Sequence, residues 1–309
     1  MARVGFLFPG QGAQFAGMGR DFYGQFPAAK AVFDRADQLL GYSLSKICFE
    51  GPEEELTRTL YAQPAIYVMS LAALAALKEK FLDIKPVFAA GLSLGEWTAL
   101  AATGALAWEE GLKLVKVRAE AMEAAARKNA GTMASVLGLS LELCQEAARE
   151  AGCEIANLNS PDQIVLSGSV EAVTKAVPLA EAKGAKKVIP LKVGGAFHSS
   201  LMQEAGDVLA KALAGVMLKK PCCTFVPNAT AEPAADPGQI KDLLARQVTS
   251  SVRWVETMAG ADKSGAGLFL EIGPGKVLKG LARKCGLRAA VEPCGTVADL
   301  EKLGGLQYA

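Results

Sequence analysis

Three short apolar runs constrain this chain most: "RVGFLF" (3–8), "PVFAAGL" (86–92) and "GLFLEIGPG" (267–275). Each is apolar nearly throughout and closes on a glycine-rich turn, as a strand buried on both faces does. Helical patterns lie between them, around 20–40, 63–80 and from about Trp108 to Lys128. The last of these places Leu112, Val115, Ala119 and Met122 on one face. "GEWTALAATGAL", directly after the second run, reads as the start of a further helix. Strands alternating with helices predict an α/β fold whose parallel sheet is covered on both faces.

The pattern changes near Gly131. "MASVLGL" (133–139) reads as a strand and "LELCQEAAREAG" (141–152) as an amphipathic helix. Two short strands follow, "EIANL" and "QIVLSG", parted by the turn "NSPD", then a helix over 171–183 and a strand in "KKVIPLKV" (186–193). That order, βαββαβ, is the ferredoxin-like unit. The expected organisation is a large α/β-hydrolase-like domain with a parallel sheet over 1–130 and 198–309, carrying a small inserted ferredoxin-like subdomain over 131–197. "LMQEAGDVLAKALAGV", after the insertion, is helical.

Several function classes recede on composition. The chain has 309 residues, 51% hydrophobic and 21% charged, which describes a folded globular protein and not a disordered one. A formal net charge of +1 provides no global attraction to nucleic acid or to an anionic membrane. The seven cysteines are odd in number and form no C-x-x-C pair, and the chain has one histidine, so a Cys/His zinc site is not expected. Free thiols in a reducing cytoplasm are. The opening "MARVGFLFPGQGAQ" lacks the roughly 7–15-residue apolar stretch of a signal peptide. Between Thr59 and Leu77 no charge appears, about the length of a membrane span, but Gln63, Pro64 and Ser70 interrupt it. A buried helix of a soluble α/β protein has the same composition.

"FAAGLSLGEWTAL" sets Ser93 between Gly91 and Gly95, at the junction of an expected strand and an expected helix. A G-x-S-x-G pattern alone is weak evidence, but this context is that of a nucleophile elbow, a strained turn that presents the serine Oγ. An ordinary βα turn of small residues reads equally well from the pattern. A serine needs a base to become a nucleophile, and the one imidazole is His198, in "GGAFHSSLM". It falls where the insertion rejoins the larger domain, a place where clefts form. Acyl transfer also needs backbone N–H groups aimed at the developing oxyanion. Leu94, directly after the serine, is one candidate donor, and the glycine-flanked Gln11 of "FPGQGAQ" (8–14) marks a second loop.

The motifs "FPGQGAQ", "AQPAI" (62–66), "GLSLGEWTAL", "VKVRAEAM", "ANLNSPDQIVLSG", "GAFHSSLM", "QVTSSVRW" (247–254) and "EIGPGKVLKGL" occur in one order from end to end. Together they resemble the malonyl-CoA:acyl carrier protein transacylases of fatty-acid synthesis, over nearly the whole chain. The resemblance implies a Ser-His dyad: Ser93 is acylated and His198 is its base, then the acid for the departing CoA thiol. It further implies that Gln11 and Leu94 donate to the oxyanion, that the Gln247 main-chain carbonyl orients His198, and that Arg118 holds the malonyl carboxylate. A guanidinium meets a carboxylate in a two-pronged geometry that lysine cannot copy. Without the resemblance, an arginine on an amphipathic helix reads as a solvated residue. Leu92, Met122, Asn157, Asn159 and Phe197 are expected at the pocket wall, although a turn role accounts for the two asparagines nearly as well.

One position departs from the family. Histidine usually precedes the nucleophile, and this chain has Leu92, which cannot hydrogen-bond. The implied substrate is malonyl-CoA and the implied partner is acyl carrier protein, with no cofactor, nucleic acid or membrane. Because such carriers are acidic, a basic rim is expected, from Lys186, Lys187 and Lys192 or from Lys276, Lys279, Arg283 and Lys284. The rival functions are a serine hydrolase, a decayed domain that only binds the carrier, and a malonyl transferase of polyketide assembly.

Overall fold

The structure is a computed structural model that describes residues 3–82 and 84–304. Its strands are β1 (Val4–Phe8), β2 (Pro86–Gly91), β3 (Gly131–Leu137), β4 (Glu154–Ser160), β5 (Gln163–Ser169), β6 (Lys187–Pro190), β7 (Thr224–Phe225), β8 (Leu268–Ile272) and β9 (Ala290–Cys294). They form two sheets, β7-β2-β1-β8-β9 and β4-β5-β3-β6. Every pairing in the first is parallel and every pairing in the second is antiparallel.

The apolar runs form the middle of the parallel sheet. All of β1 is buried, as are the last four residues of β2 and of β8, because helices cover both faces. The helix Thr59–Lys80 is long and apolar enough to cross a membrane, yet 83% of that window is packed inside the protein. It shares the main core with Phe6, Phe8, Leu100 and Leu112. The helix over Trp108–Lys128 has the bounds the apolar periodicity predicts.

Three features were not legible from pattern. A further strand, β9, follows the run at 267–275, disguised by Glu292 and Pro293. β7 has only two residues, too few for any periodicity. The short helices Leu44–Glu50 and Glu53–Thr57 fill a stretch with no clear apolar repeat.

The parallel sheet places the loops that matter. The loops that leave the carboxyl ends of the adjacent strands β1 and β2 carry Gln11 and Ser93, and a crevice opens between them. Leu92 N–H donates to Phe8 O at 3.0 Å, tying the loops after these two strands together. Glycine is required on both sides of the turn after β2. A Cβ on Gly91 would lie 2.0 Å from Gly95 C, and one on Gly95 would lie 2.0 Å from Phe8 O. Strand, turn and helix therefore pack backbone to backbone.

The antiparallel sheet closes the crevice from the other side. Its β4 edge docks on the segment after Gln247, with Leu158 N–H donating to Val252 O at 2.9 Å and Val252 N–H to Ala156 O at 2.8 Å.

Candidate active site

Ser93 occupies the turn between β2 and the helix Leu94–Ala102, at φ 50° and ψ −102°. A non-glycine residue in that region is strained and persists only where its surroundings hold it. Asn228 does much of the holding. Its Oδ1 accepts from Ser93 N–H at 2.6 Å, and its Nδ2 donates to Gly91 O at 2.7 Å. Its own N–H donates to Glu96 Oε2 at 2.8 Å.

Ser93 Oγ lies 2.8 Å from His198 Nε2, across 105 residues of sequence. His198 also has a positive φ, 59°. Its Nδ1 faces two main-chain carbonyls, Gln247 O at 2.9 Å and Ser250 O at 3.1 Å. Carbonyls only accept, so Nδ1 carries the proton and Nε2 is left to accept from the serine hydroxyl. Burial, and after it the charge of Arg118, pushes the imidazole pKa down to about 4, partly opposed by the two carbonyls. At neutral pH the ring is an uncharged acceptor.

Arg118 is 1% exposed, so the solvated-face alternative is wrong for it. Its Nη1 donates to Gln63 Oε1 at 2.6 Å, and its Nη2 to Ser93 Oγ and Gln247 Oε1, both at 3.0 Å. Among the described residues no ion pair joins it to a carboxylate. A buried cation without one carries a desolvation cost of several kcal/mol. Desolvation lowers its pKa to about 10, so it stays charged at neutral pH. The site is thus built to receive an anion beside the serine.

Gln247 meets this network twice. Besides its carbonyl to His198, its side-chain Nε2 donates to Ser93 O at 2.9 Å and to Glu96 Oε2 at 2.6 Å. Glu96 is fully buried, and burial raises its pKa to about 7 against the hydrogen bonds and the Arg118 charge.

A cavity of about 220 Å³ opens onto these groups. Gln11, Ser93, Leu94, Arg118 and His198 all line it. Leu92, Met122, Asn157, Asn159 and Phe197 are also part of the wall, whereas Gln247 sits behind it. Leu94 opens its helix, so its N–H has no acceptor within that helix. Sequence reasoning missed Glu96, Asn228 and Ser250 and gave no role to Gln63. Glu96 left a signal, a lone carboxylate in an apolar helix; Asn228 lies in a loop and left none.

The arrangement can take a proton from Ser93, stabilise charge at its oxygen and hold an anionic group alongside. The model of the acyl transferase domain family matches residues 5–303. The malonyl CoA-acyl carrier protein transacylase of Bacillus subtilis (strain 168) is 43% identical, over 93% of this chain and 92% of that protein. The crystal structure of MCAT from Streptococcus pneumoniae is 43% identical and superposes with a TM-score of 0.93, covering 98% of this chain and 100% of that one. A malonyl-transacylase solved in complex with its type II PKS acyl-carrier protein is 34% identical, with a TM-score of 0.94 and coverage of 97% and 98%.

Proposed function

This chain belongs to the acyl transferase domain family, and we propose that it transfers the malonyl group of malonyl-CoA to the phosphopantetheine thiol of acyl carrier protein. The observation that carries this is the buried, carboxylate-free Arg118 guanidinium 3.0 Å from Ser93 Oγ, a seat for an acyl group that is itself a carboxylate.

In the first half-reaction His198 Nε2 accepts the Ser93 hydroxyl proton as Oγ attacks the thioester carbonyl. The N–H groups of Leu94 and Gln11 receive the oxyanion, and the intermediate collapses as His198 returns the proton to the CoA sulfur. In the second half His198 takes the proton of the carrier's thiol, the sulfur attacks the malonyl-serine ester, and the proton returns to Ser93 Oγ. Each half exchanges one acyl bond for another with a single shuttled proton, so the scheme calls for no metal or redox group. Leu92 makes the wall apolar where the family usually has histidine, leaving His198 as the base.

Around this site we read residues 1–130 and 198–309 as an α/β-hydrolase-like unit and 131–197 as a ferredoxin-like insertion; 1–2, 83 and 305–309 lie outside the described residues. The strand order β4-β5-β3-β6 and the mutual packing of the two helices of 131–197 support the second part. A larger cavity of about 410 Å³ adjoins the first through Gln11, Thr57, Lys192, Val193 and Phe197, and its lining includes Arg58 and Arg127, both paired with Glu123. It suits a phosphopantetheine arm. For the acidic carrier we favour the exposed Lys192 and the groove that bears Lys276, Lys279 and Arg283. The enzyme would be soluble and cytoplasmic. Fatty-acid synthesis is the favoured pathway, and polyketide assembly is a second reading favoured by the likeness to the transacylase bound to a polyketide carrier.

Intact-mass spectrometry after brief mixing with malonyl-CoA tests the function. A malonyl adduct that acyl carrier protein discharges supports transfer; an adduct lost equally fast to water would make this a hydrolase.

The depressed His198 pKa has a pH signature. Above it the ring is neutral and accepts the proton; below it the ring is protonated and idle. The rate at which an uncharged serine-reactive phosphonate labels Ser93 should be flat above about pH 5 and half-lost near pH 4, not near an ordinary histidine's 6.5. A midpoint near the ordinary value would contradict the burial of the dyad.

A further inference from the structure

We infer that Glu96 is a positioning residue for the transfer, its Oε2 oxygen holding the Gln247 amide in the one orientation that presents oxygen to Arg118. The inference rests on the transfer reading above and goes beyond it, since no step of that scheme uses Glu96.

The two ends of a glutamine amide are alike in size, so the neighbours decide which way round it sits. The Nε2 end of Gln247 lies among acceptors, Ser93 O at 2.9 Å and Glu96 Oε2 at 2.6 Å. The Oε1 end faces a donor, Arg118 Nη2 at 3.0 Å. Turned over, the amide would set oxygen against two oxygens and its NH₂ against the guanidinium. Glu96 supplies one of the two acceptors that forbid this. Arg118 is then held by amide oxygens, Gln63 Oε1 on Nη1 and Gln247 Oε1 on Nη2, which orient the cation without neutralising it by contact. Its charge remains available to a substrate carboxylate.

The same Oε2 also accepts from Asn228 N–H at 2.8 Å, and the Asn228 side chain braces Ser93 N–H and Gly91 O. One buried oxygen therefore keeps the anion-binding arginine and the strained serine in register. Among the described residues Oε1 has no partner, so a proton there would leave both bonds to Oε2 in place. The role needs the acceptor, not the charge, and a glutamine can supply that acceptor.

The test is the ratio of kcat/KM for malonyl-CoA over acetyl-CoA in the wild type, Glu96→Gln, Glu96→Leu, Gln247→Leu and the Glu96→Leu/Gln247→Leu double variant. Glu96→Leu should lower the ratio by about tenfold or more, and Glu96→Gln should stay within about threefold of wild type. The double variant should fall no further than Gln247→Leu alone, because both changes remove one constraint. A residue that only stabilises the fold would slow both substrates alike and leave the ratio unchanged. The inference is overturned by an unchanged ratio in Glu96→Leu, by losses that multiply in the double variant, or by Glu96→Gln matching Glu96→Leu. If Glu96→Leu does not fold, an unchanged ratio in Gln247→Leu overturns it instead. A wild type that takes up no malonyl group sinks the transfer reading first, before any variant is compared.

Discussion

Ser93→Ala is expected to abolish the malonyl adduct and to lower transfer by at least about 10⁴-fold while the protein stays folded. The substitution removes Oγ and little else. Cβ remains, so the backbone strain at φ 50° is unchanged, and the Asn228 bond to the residue 93 N–H is kept. The lost contacts are those of Oγ with His198 Nε2 and Arg118 Nη2. Two hydrogen bonds of this kind contribute about 1–3 kcal/mol each, and the cavity can admit water to His198 and Arg118 in the variant. Thermal melting should therefore shift by only a few degrees, while intact-mass spectrometry shows the unmodified chain. A malonyl adduct on the alanine variant would show that another residue is the nucleophile and would remove the basis for the dyad.

Arg118→Ala should lower kcat/KM for malonyl-CoA by about 10²-fold or more and leave acetyl-CoA turnover within roughly tenfold. A carboxylate held by two charge-assisted hydrogen bonds gains about 3–6 kcal/mol, and acetyl has no carboxylate to lose. Arg118→Lys should not restore the preference. An ammonium is a point donor and cannot reach Gln63 and Gln247 at opposite ends while also meeting a carboxylate. The control lies in Arg118 Nη2, which also touches Ser93 Oγ. If both substrates fall by the same factor, Arg118 serves the serine and not the acyl group, and the assignment of substrate class fails.

How far the site is legible depends on the kind of signal each residue leaves. Ser93 is marked by its glycines, and Gly91 and Gly95 are needed because backbones approach where no Cβ fits. His198 stands out by being the single histidine. Arg118 is the opposite case: on an amphipathic helix it is indistinguishable from a surface residue, and only the resemblance pointed inward. Asn228 and Ser250 carry no local signal at all, since their contacts span more than a hundred residues or run through the main chain.

The sequence by itself determined the α/β class, the places of β1, β2 and β8, the long helices and the βαββαβ order of the second sheet. These rest on apolar periodicity and turn chemistry, which act between near neighbours and so are written locally. Only the tertiary structure decided that β9 extends the sheet, that Arg118 is buried without a carboxylate beside it, and that Glu96, Asn228 and the Gln247 side chain tie the serine turn to the segment that orients the histidine. Hydrogen bonds and desolvation depend on distances of a few tenths of an ångström between segments remote in the chain. Those distances exist once both sheets have packed around the crevice, and not before.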